Sequence, residues 1–129
     1  MTEVITEWIA KAEGDFATAT RENSVVMEPN CDDVCFHAQQ CIEKLLKALL
    51  VADGIQPPKT HDLIALGELL RPQHADLELP LEDLLRLSRA GVVFRCPGET
   101  ATPEMAAAAL AICTRLRERL LALFRSSDD

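Results

Sequence analysis

Four polar side chains recur at helical spacing in the middle of the sequence. His37, Gln40, Lys44 and Lys47 follow one another at steps of three and four residues, within a segment that is otherwise largely apolar. Residues spaced in this way lie along one side of an α-helix. Imidazole exchanges a proton near neutral pH, and lysine ammonium groups attract phosphate. A cleft could open at the border where His37 meets the apolar face, and His37, Lys44, Lys47 and Arg95 would line one groove if the segment that contains Arg95 folds over this helix.

The same stripe also has a simpler structural interpretation. Gln40, Lys44 and Lys47 would then form a solvated face, in which Glu43 and Lys47 are an i, i+4 pair worth roughly a few tenths of a kcal/mol. His37 would be a hydrogen-bonded structural residue, which is the commoner role for a histidine at the edge of a core. Both interpretations stay open at this point.

Two further candidates stand before a later helical segment. Lys59 and His61 are placed at its start, where exposed backbone N–H groups and the helix dipole favour an anion. In the alternative interpretation, Thr60 and Asp62 cap this helix and His61 shields its end. The residue types favour capping.

Arg95 lies in a segment without helical pattern, from Gly91 to Ala101, and irregular segments of this length in a compact domain are often functional. Its guanidinium is a planar fork of donors that suits phosphate. Pairing of Arg95 with Glu99 or Glu104, which would hold the loop in place, is an equally good interpretation. The predicted ligand-binding residues are His37, Gln40, Lys44, Lys47, Lys59, His61 and Arg95.

The charge balance limits the partners. Thirteen Lys and Arg residues against 21 Asp and Glu give a net charge of −8, and such a field repels phosphate backbones at long range. We therefore expect no extended DNA binding. A few cations that face one cleft can still hold a phosphate group.

The cysteines and the N-terminus indicate the compartment. Five cysteines, an odd number without a CxxC pair, predict free thiols in a reducing environment. Cys31, Cys35 and His37 are close in sequence, but Cys35 and His37 point to different faces of the helix, so we expect no metal site and no cofactor. The sequence has no signal-peptide pattern at its start and no window of ~18 apolar residues. We expect a cytoplasmic protein that contacts no membrane.

Apolar residues recur every three or four positions along most of the chain, which is the pattern of amphipathic helices. A composition of 48% hydrophobic but only 4% aromatic residues suits helices that pack closely on one another. The sequence therefore predicts an all-α protein, an up-and-down antiparallel bundle of four to five helices. We expect a single domain over residues 1–125 and a frayed tail at 126–129.

Start and stop signals place the helices along the chain. Gly54 ends the second helix, and the Pro57-Pro58 pair keeps the linker extended until Thr60 or Asp62 caps the third. The predicted helices cover about residues 4–22, 31–53 and 60–71, then one that begins at Pro80 and one that begins with Thr102-Pro103-Glu104.

Two segments carry a family resemblance. Residues 35–50 read CFHAQQCIEKLLKALL and residues 54–63 read GIQPPKTHDL, and in wording and order they resemble the HEPN family of small prokaryotic helical domains. The resemblance extends from Trp8 to Pro97 and is densest between residues 35 and 63. It implies a helical domain that commonly dimerises, often sits beside a minimal nucleotidyltransferase partner, and in many branches cleaves RNA.

The ribonuclease branches of this family carry an Arg followed four to six residues later by His, near the start of the last helix. Arg95 occupies the corresponding region, but residues 98–102 read GETAT and contain no His. Metal-free RNA cleavage needs a group that exchanges a proton near neutral pH. The departure from the family pattern therefore argues against RNA cleavage by the family route.

Three functions follow from these residues and from the resemblance. The first, which we expect, is a non-catalytic homodimeric module that binds a nucleotide or docks on a nucleotidyltransferase chain. The second is a divergent, toxin-like ribonuclease in which Arg95 works on RNA with His61 or His37. The third is a purely structural dimerisation module.

Overall fold

The computed structural model describes residues 2–94 and 96–127, except for the side chains of 126 and 127. Within these residues the chain forms five α-helices and no strand, which confirms the predicted all-α, up-and-down antiparallel bundle. None of the described helices is long and apolar enough to cross a membrane. The helices are α1 (Glu3–Asn23), α2 (Cys31–Ala52), α3 (Leu63–Leu70), α4 (Leu81–Val93) and α5 (Pro103–Ser127).

The central element is α2, which packs against all four other helices. Leu45, Leu46 and Leu50 are fully buried on it, and truncation of one such leucine to alanine costs on the order of 2–5 kcal/mol. The burial extends to polar residues of the same helix, Gln39 and Glu43 among them. Because a buried polar group must be hydrogen-bonded, these side chains need partners on other elements.

The most extensive helix–helix contact in the bundle is between α1 and α2. Ala12 and Ala19 are completely buried on α1, and such small side chains let the two helix backbones approach. Both α1 and α2 have a side-chain cap at their start. The Thr2 hydroxyl accepts from the backbone N–H of Ile5 at 3.3 Å, and the Asn30 amide oxygen accepts from a backbone N–H of α2 at 3.1 Å.

The linker between α2 and α3 is held at both ends. Gly54 has a φ of +78°, in the left-handed region that glycine adopts readily, and so ends α2 as predicted. The Asp62 carboxylate accepts from two backbone N–H groups in the first turn of α3, at 3.0 and 3.4 Å. Asp62 is therefore the cap, and the Thr60 hydroxyl supports it by accepting from the Asp62 N–H at 3.1 Å.

Our prediction of an irregular segment from Gly91 onwards was wrong for its first three residues, because α4 continues to Val93. Gly91 does not end the helix. It is buried against Gln39 of α2, and a Cβ atom at this position would lie only 2.7 Å from the Gln39 Cγ atom. Glycine is needed here because the two helices approach so closely.

The last helix begins where the sequence predicts, with the Thr102 hydroxyl accepting from the Met105 backbone N–H at 3.1 Å. Leu116 and Leu120 bury its inner face. The helix reaches Ser127, and residues 128 and 129 of the predicted frayed tail lie outside the described residues.

Candidate functional site: a lysine-lined groove

A buried carboxylate of α1 ties that helix to α2. The Asp15 side chain is 10% exposed, and its Oδ1 atom lies 2.7 Å from His37 Nδ1 while its Oδ2 atom lies 2.5 Å from Lys44 Nζ. We call these residues the Asp15 trio. His37, at 25% exposure, is thus held in the contact between the two helices. The trio places two of the predicted ligand-binding residues on one partner that the sequence did not single out.

A second carboxylate ties α2 to the linker that follows it. The Glu43 side chain is 5% exposed, its Oε1 atom lies 2.8 Å from His61 Nδ1, and its Oε2 atom lies 3.1 Å from Lys47 Nζ. We call these residues the Glu43 trio. The predicted Glu43–Lys47 pair is present, but it is buried, so the interpretation of Lys47 as part of a solvated face is wrong.

Two amides extend the Glu43 trio. Gln39 Nε2 donates to Glu43 Oε1 at 3.0 Å and to the backbone carbonyl of His61 at 3.2 Å. Gln40 Nε2 donates to Gln39 Oε1 at 2.9 Å. Among the described residues no buried side-chain nitrogen or oxygen lacks a hydrogen-bond partner. The network is therefore complete, and it fixes both the ring and the backbone of His61.

All four lysines of the chain border one surface groove around its single tryptophan. The groove consists of two adjoining concavities that share Val4 and Trp8, of about 580 and 410 Å³. Lys47 and Lys59 line the larger concavity, and Lys11 and Lys44 line the smaller one. We call this surface the Trp8 groove, and its remaining lining residues are Glu7, Val51 and the linker residues 54–58.

The four lysines differ in how far their charge is already compensated. Lys44 and Lys47 are each paired with the carboxylate of a trio, and Lys47 Nζ also lies 5.9 Å from the centroid of the Trp8 ring, a cation–π contact. Lys11 lies 4.0 Å from Glu7, and both side chains are largely exposed, so this pair is weak. Lys59 has no ion pair within the described part of the chain. Lys59 and Lys11 are therefore the cations most available to an incoming anion.

Another concavity, of about 340 Å³, lies between α4 and α5. Its lining is largely apolar, with Phe94 and Ile112 at its wall, and Arg86 at its edge is paired with Glu82 at 2.8 Å. This concavity holds none of the predicted ligand-binding residues that the structure describes. Lys44, Lys47 and Lys59 border the Trp8 groove instead.

The structure brings together most of the predicted residues but leaves one undescribed. Lys44, Lys47 and Lys59 line the Trp8 groove, and His61 joins it through Glu43. Arg95 lies outside the described residues. The proposed pairing of Arg95 with His61 or His37, on which the ribonuclease hypothesis depends, therefore stays a prediction.

Two residues of the groove wall, Trp8 and Lys11, were not among the predicted ligand-binding residues, although a signal was present. Trp8, Lys11 and Asp15 are spaced by three and four residues and so share one face of α1. Trp8 is half-buried, and it lines the groove.

Other polar contacts of the bundle have a structural role. Arg117 of α5 binds Glu13 of α1 through two hydrogen bonds, at 2.8 and 2.6 Å, and this pairing raises the pKa of Arg117.

A hydrogen bond to Cys113 together with burial raises the pKa of the Cys41 thiol. Cys41 is therefore a protonated core residue and not a nucleophile. No group of three or more His, Cys, Asp or Glu residues that could hold a metal ion occurs in the described part of the chain.

Comparison with known proteins gives a family and a fold. The model of the family described as HEPN domain matches residues 5–123. The crystal structure of TT1696 from Thermus thermophilus is similar, with a TM-score of 0.76 at 20% identity, over 94% of this chain and 98% of that one. ST0689, an archaeal HEPN homologue, gives a TM-score of 0.67 at 23% identity, over 95% and 98% of the two chains. Among curated proteins none matches this chain.

Proposed function

The chain belongs to the HEPN domain family, and we propose that it binds a nucleotide in the Trp8 groove. The observation that supports this proposal is the convergence of all four lysines on the single tryptophan. A nucleotide combines an aromatic base with anionic phosphates, and the groove offers a partner for each. The net charge of −8 makes this local arrangement more telling, because acidic residues outnumber basic ones over the chain as a whole.

The two halves of the ligand would use different parts of the groove. Stacking of a base on an aromatic side chain contributes ~1–3 kcal/mol, and Trp8 is the only aromatic residue in the lining. The phosphates would be held by Lys59 and Lys11, whose charges are least compensated, because Lys44 and Lys47 are already paired with carboxylates. The larger concavity, about 580 Å³, falls within the range of roughly 300–1,000 Å³ that is usual for small-molecule sites.

Calorimetric titration with ATP, GTP and AMP tests the proposal, and Trp8 emission gives a second readout because the protein has no other tryptophan. We expect binding that changes the emission. Lys59→Met should weaken it about tenfold, which corresponds to ~1.4 kcal/mol. Arg86→Met is the matched control, since it removes an exposed cation from the concavity between α4 and α5 and should leave affinity unchanged.

The proposal fails if none of the three nucleotides binds at millimolar concentration, or if Lys59→Met and Arg86→Met reduce affinity equally. The partners that the family resemblance implies, a second copy of the chain and a nucleotidyltransferase chain, stay predictions.

A further inference from the structure

We infer that His61 and Glu43 form an acid–base pair that activates water to hydrolyse the terminal phosphoanhydride of the nucleotide in the Trp8 groove. The inference rests on the proposed function and extends it from binding to catalysis. It depends on four observations: the tautomer that Glu43 imposes, the exposure of the ring, the rigidity of its support, and its position beside the lysines.

Glu43 determines which nitrogen of His61 carries the proton. An ionised carboxylate accepts hydrogen bonds and cannot donate them. Glu43 accepts from His61 Nδ1 at 2.8 Å, from Gln39 at 3.0 Å and from Lys47 at 3.1 Å. In the neutral ring the proton therefore sits on Nδ1, and Nε2 carries the lone pair that can take a proton from water. A carboxylate that orients an imidazole in this way is the usual support of a histidine base.

The exposure of His61 separates it from the other two histidines. All three histidines of the chain lie within 2.8 Å of a carboxylate oxygen. His37 is paired with Asp15 and His74 with Asp53, and both rings are mostly buried, at 25% and 18% exposure. The His61 ring is 71% exposed although its carboxylate partner is 5% exposed. Within the described part of the chain its Nε2 atom makes no hydrogen bond or ion pair, and the exposed ring leaves this atom available to water and ligand.

Buried groups hold this exposed ring in place. The Gln39 amide donates to the His61 carbonyl at 3.2 Å, so the backbone as well as the ring is fixed. Gln39 itself is almost fully buried, and it is packed beneath Gly91 of α4. A solvent-exposed histidine without a function needs no such hydrogen-bonded support. A catalytic group needs it, because its efficiency depends on a fixed geometry.

The ring stands next to the cations that would hold the phosphates. Lys47 shares the Glu43 carboxylate with His61, and it lines the larger concavity of the Trp8 groove. Lys59, another lining residue, precedes His61 by two positions on the same linker. A terminal phosphate bound at Lys59 would therefore lie beside the imidazole.

The proposed step is a hydrolysis that is balanced by water alone. His61 Nε2 takes a proton from a water molecule as its oxygen attacks the terminal phosphorus. A new P–O bond forms, and the bond between that phosphorus and the bridging oxygen breaks, which releases a nucleoside diphosphate from a triphosphate. The proton then passes from the imidazolium to the released phosphate. Lys59, whose charge is not compensated by an ion pair within the described residues, offsets the negative charge that grows on the phosphate oxygens.

Release of inorganic phosphate from magnesium–ATP and magnesium–GTP tests the inference. We expect His61→Gln to lower kcat by about 100-fold or more, the usual contribution of a general base, with nucleotide affinity kept within about threefold, since the lysines remain. His74→Gln is the matched control: it removes a carboxylate-paired ring that we assign to neither binding nor catalysis, and its rate should equal that of the unsubstituted protein. Each variant is assayed at a temperature at which circular dichroism shows it folded.

The separate effects on kcat and KM distinguish a positioning role of Glu43 from a purely structural one. In Glu43→Gln the kcat should fall, because the amide no longer holds the imidazole through Nδ1 with Nε2 left to accept a proton, whereas KM should change little, since Lys59 remains. A variant that merely loosened the linker would displace Lys59 as well, and KM would then rise together with the loss of kcat.

The outcomes separate the two proposals. If nucleotides bind but no phosphate is released, or if His61→Gln releases it at the unsubstituted rate, the catalytic inference is overturned while the binding proposal stands. If no nucleotide binds, both are overturned.

Discussion

The Asp15 trio and the Glu43 trio contain the same three chemical groups in different surroundings. Each is a carboxylate that holds one imidazole through Nδ1 and one lysine of α2. In the Asp15 trio all three side chains are partly buried between two helices. In the Glu43 trio the carboxylate and the lysine are more deeply buried, but the imidazole faces solvent on a linker. The element that supplies the histidine therefore decides whether the trio only joins helices or also presents a reactive nitrogen.

The largest difference between the trios should appear when the carboxylate is removed. Glu43→Ala leaves Lys47 buried without a counter-ion, so we expect the free energy of unfolding to fall by about 3–5 kcal/mol. Asp15→Ala leaves Lys44 able to turn towards water, since that side chain is less buried, and should cost about 1–3 kcal/mol. Urea denaturation measures both. If both variants lost the same free energy of unfolding, the deeper burial of Lys47 relative to Lys44 would have no effect on stability, and this prediction would be wrong.

A smaller effect should follow from changing the support of one trio alone. Gly91→Ala places a Cβ atom 2.7 Å from the Gln39 Cγ atom, which should lower the free energy of unfolding by about 1–3 kcal/mol and displace the Glu43 trio. Gly14→Ala is the matched control, because nothing lies within 4 Å of the added atom. It should raise stability by about 0.5–1 kcal/mol, as alanine is the better helix former. Thermal unfolding of the two variants checks these opposite signs, and a stabilised Gly91→Ala would refute the close contact.

The smallest effects on stability are expected when the two histidine rings are replaced. Here the substitution in the Asp15 trio should cost more than the one in the Glu43 trio, the opposite of the order expected for the two carboxylates. His37→Gln removes a partly buried contact between α1 and α2 and should cost about 1 kcal/mol of unfolding free energy. His61→Gln should change it by less than ~0.5 kcal/mol, because water can replace an exposed ring at the Glu43 carboxylate. Denaturation curves of both variants measure this. If His61→Gln proved the more costly of the two, His61 would be an anchor of the linker first and a reactive group second.

Much of the fold follows from the sequence, because helices and their caps are local. The apolar spacing, Gly54 and the Thr102-Pro103 start all predicted their elements correctly. The prediction that the helical pattern stops at Gly91 failed because the reason for that glycine is not local. It meets Gln39, which is 52 positions away in sequence, and only the packing of α4 on α2 brings the two together.

The candidate site could be predicted only in part, for a similar reason. Spacing along α2 indicated the polar stripe and even the Glu43–Lys47 pair. It could not indicate that α1 and the linker would cover that stripe and turn a solvated face into a buried one. Asp15 is the clearest case: its spacing from Trp8 and Lys11 indicates the face of α1 on which it lies, but its two partners lie 22 and 29 positions away, and no local pattern links it to them.

The restrained backbone of the linker between α2 and α3 affects the entropy of ligand binding. Two prolines, the left-handed Gly54 and the Asp62 cap restrain its backbone before any ligand arrives. The conformational entropy of ordering this wall is therefore lost during folding and not during association. A ligand should meet a preorganised surface, and its binding enthalpy should be little offset by an ordering penalty. Free and occupied forms should then differ mainly in side-chain rotamers, with the linker backbone unchanged.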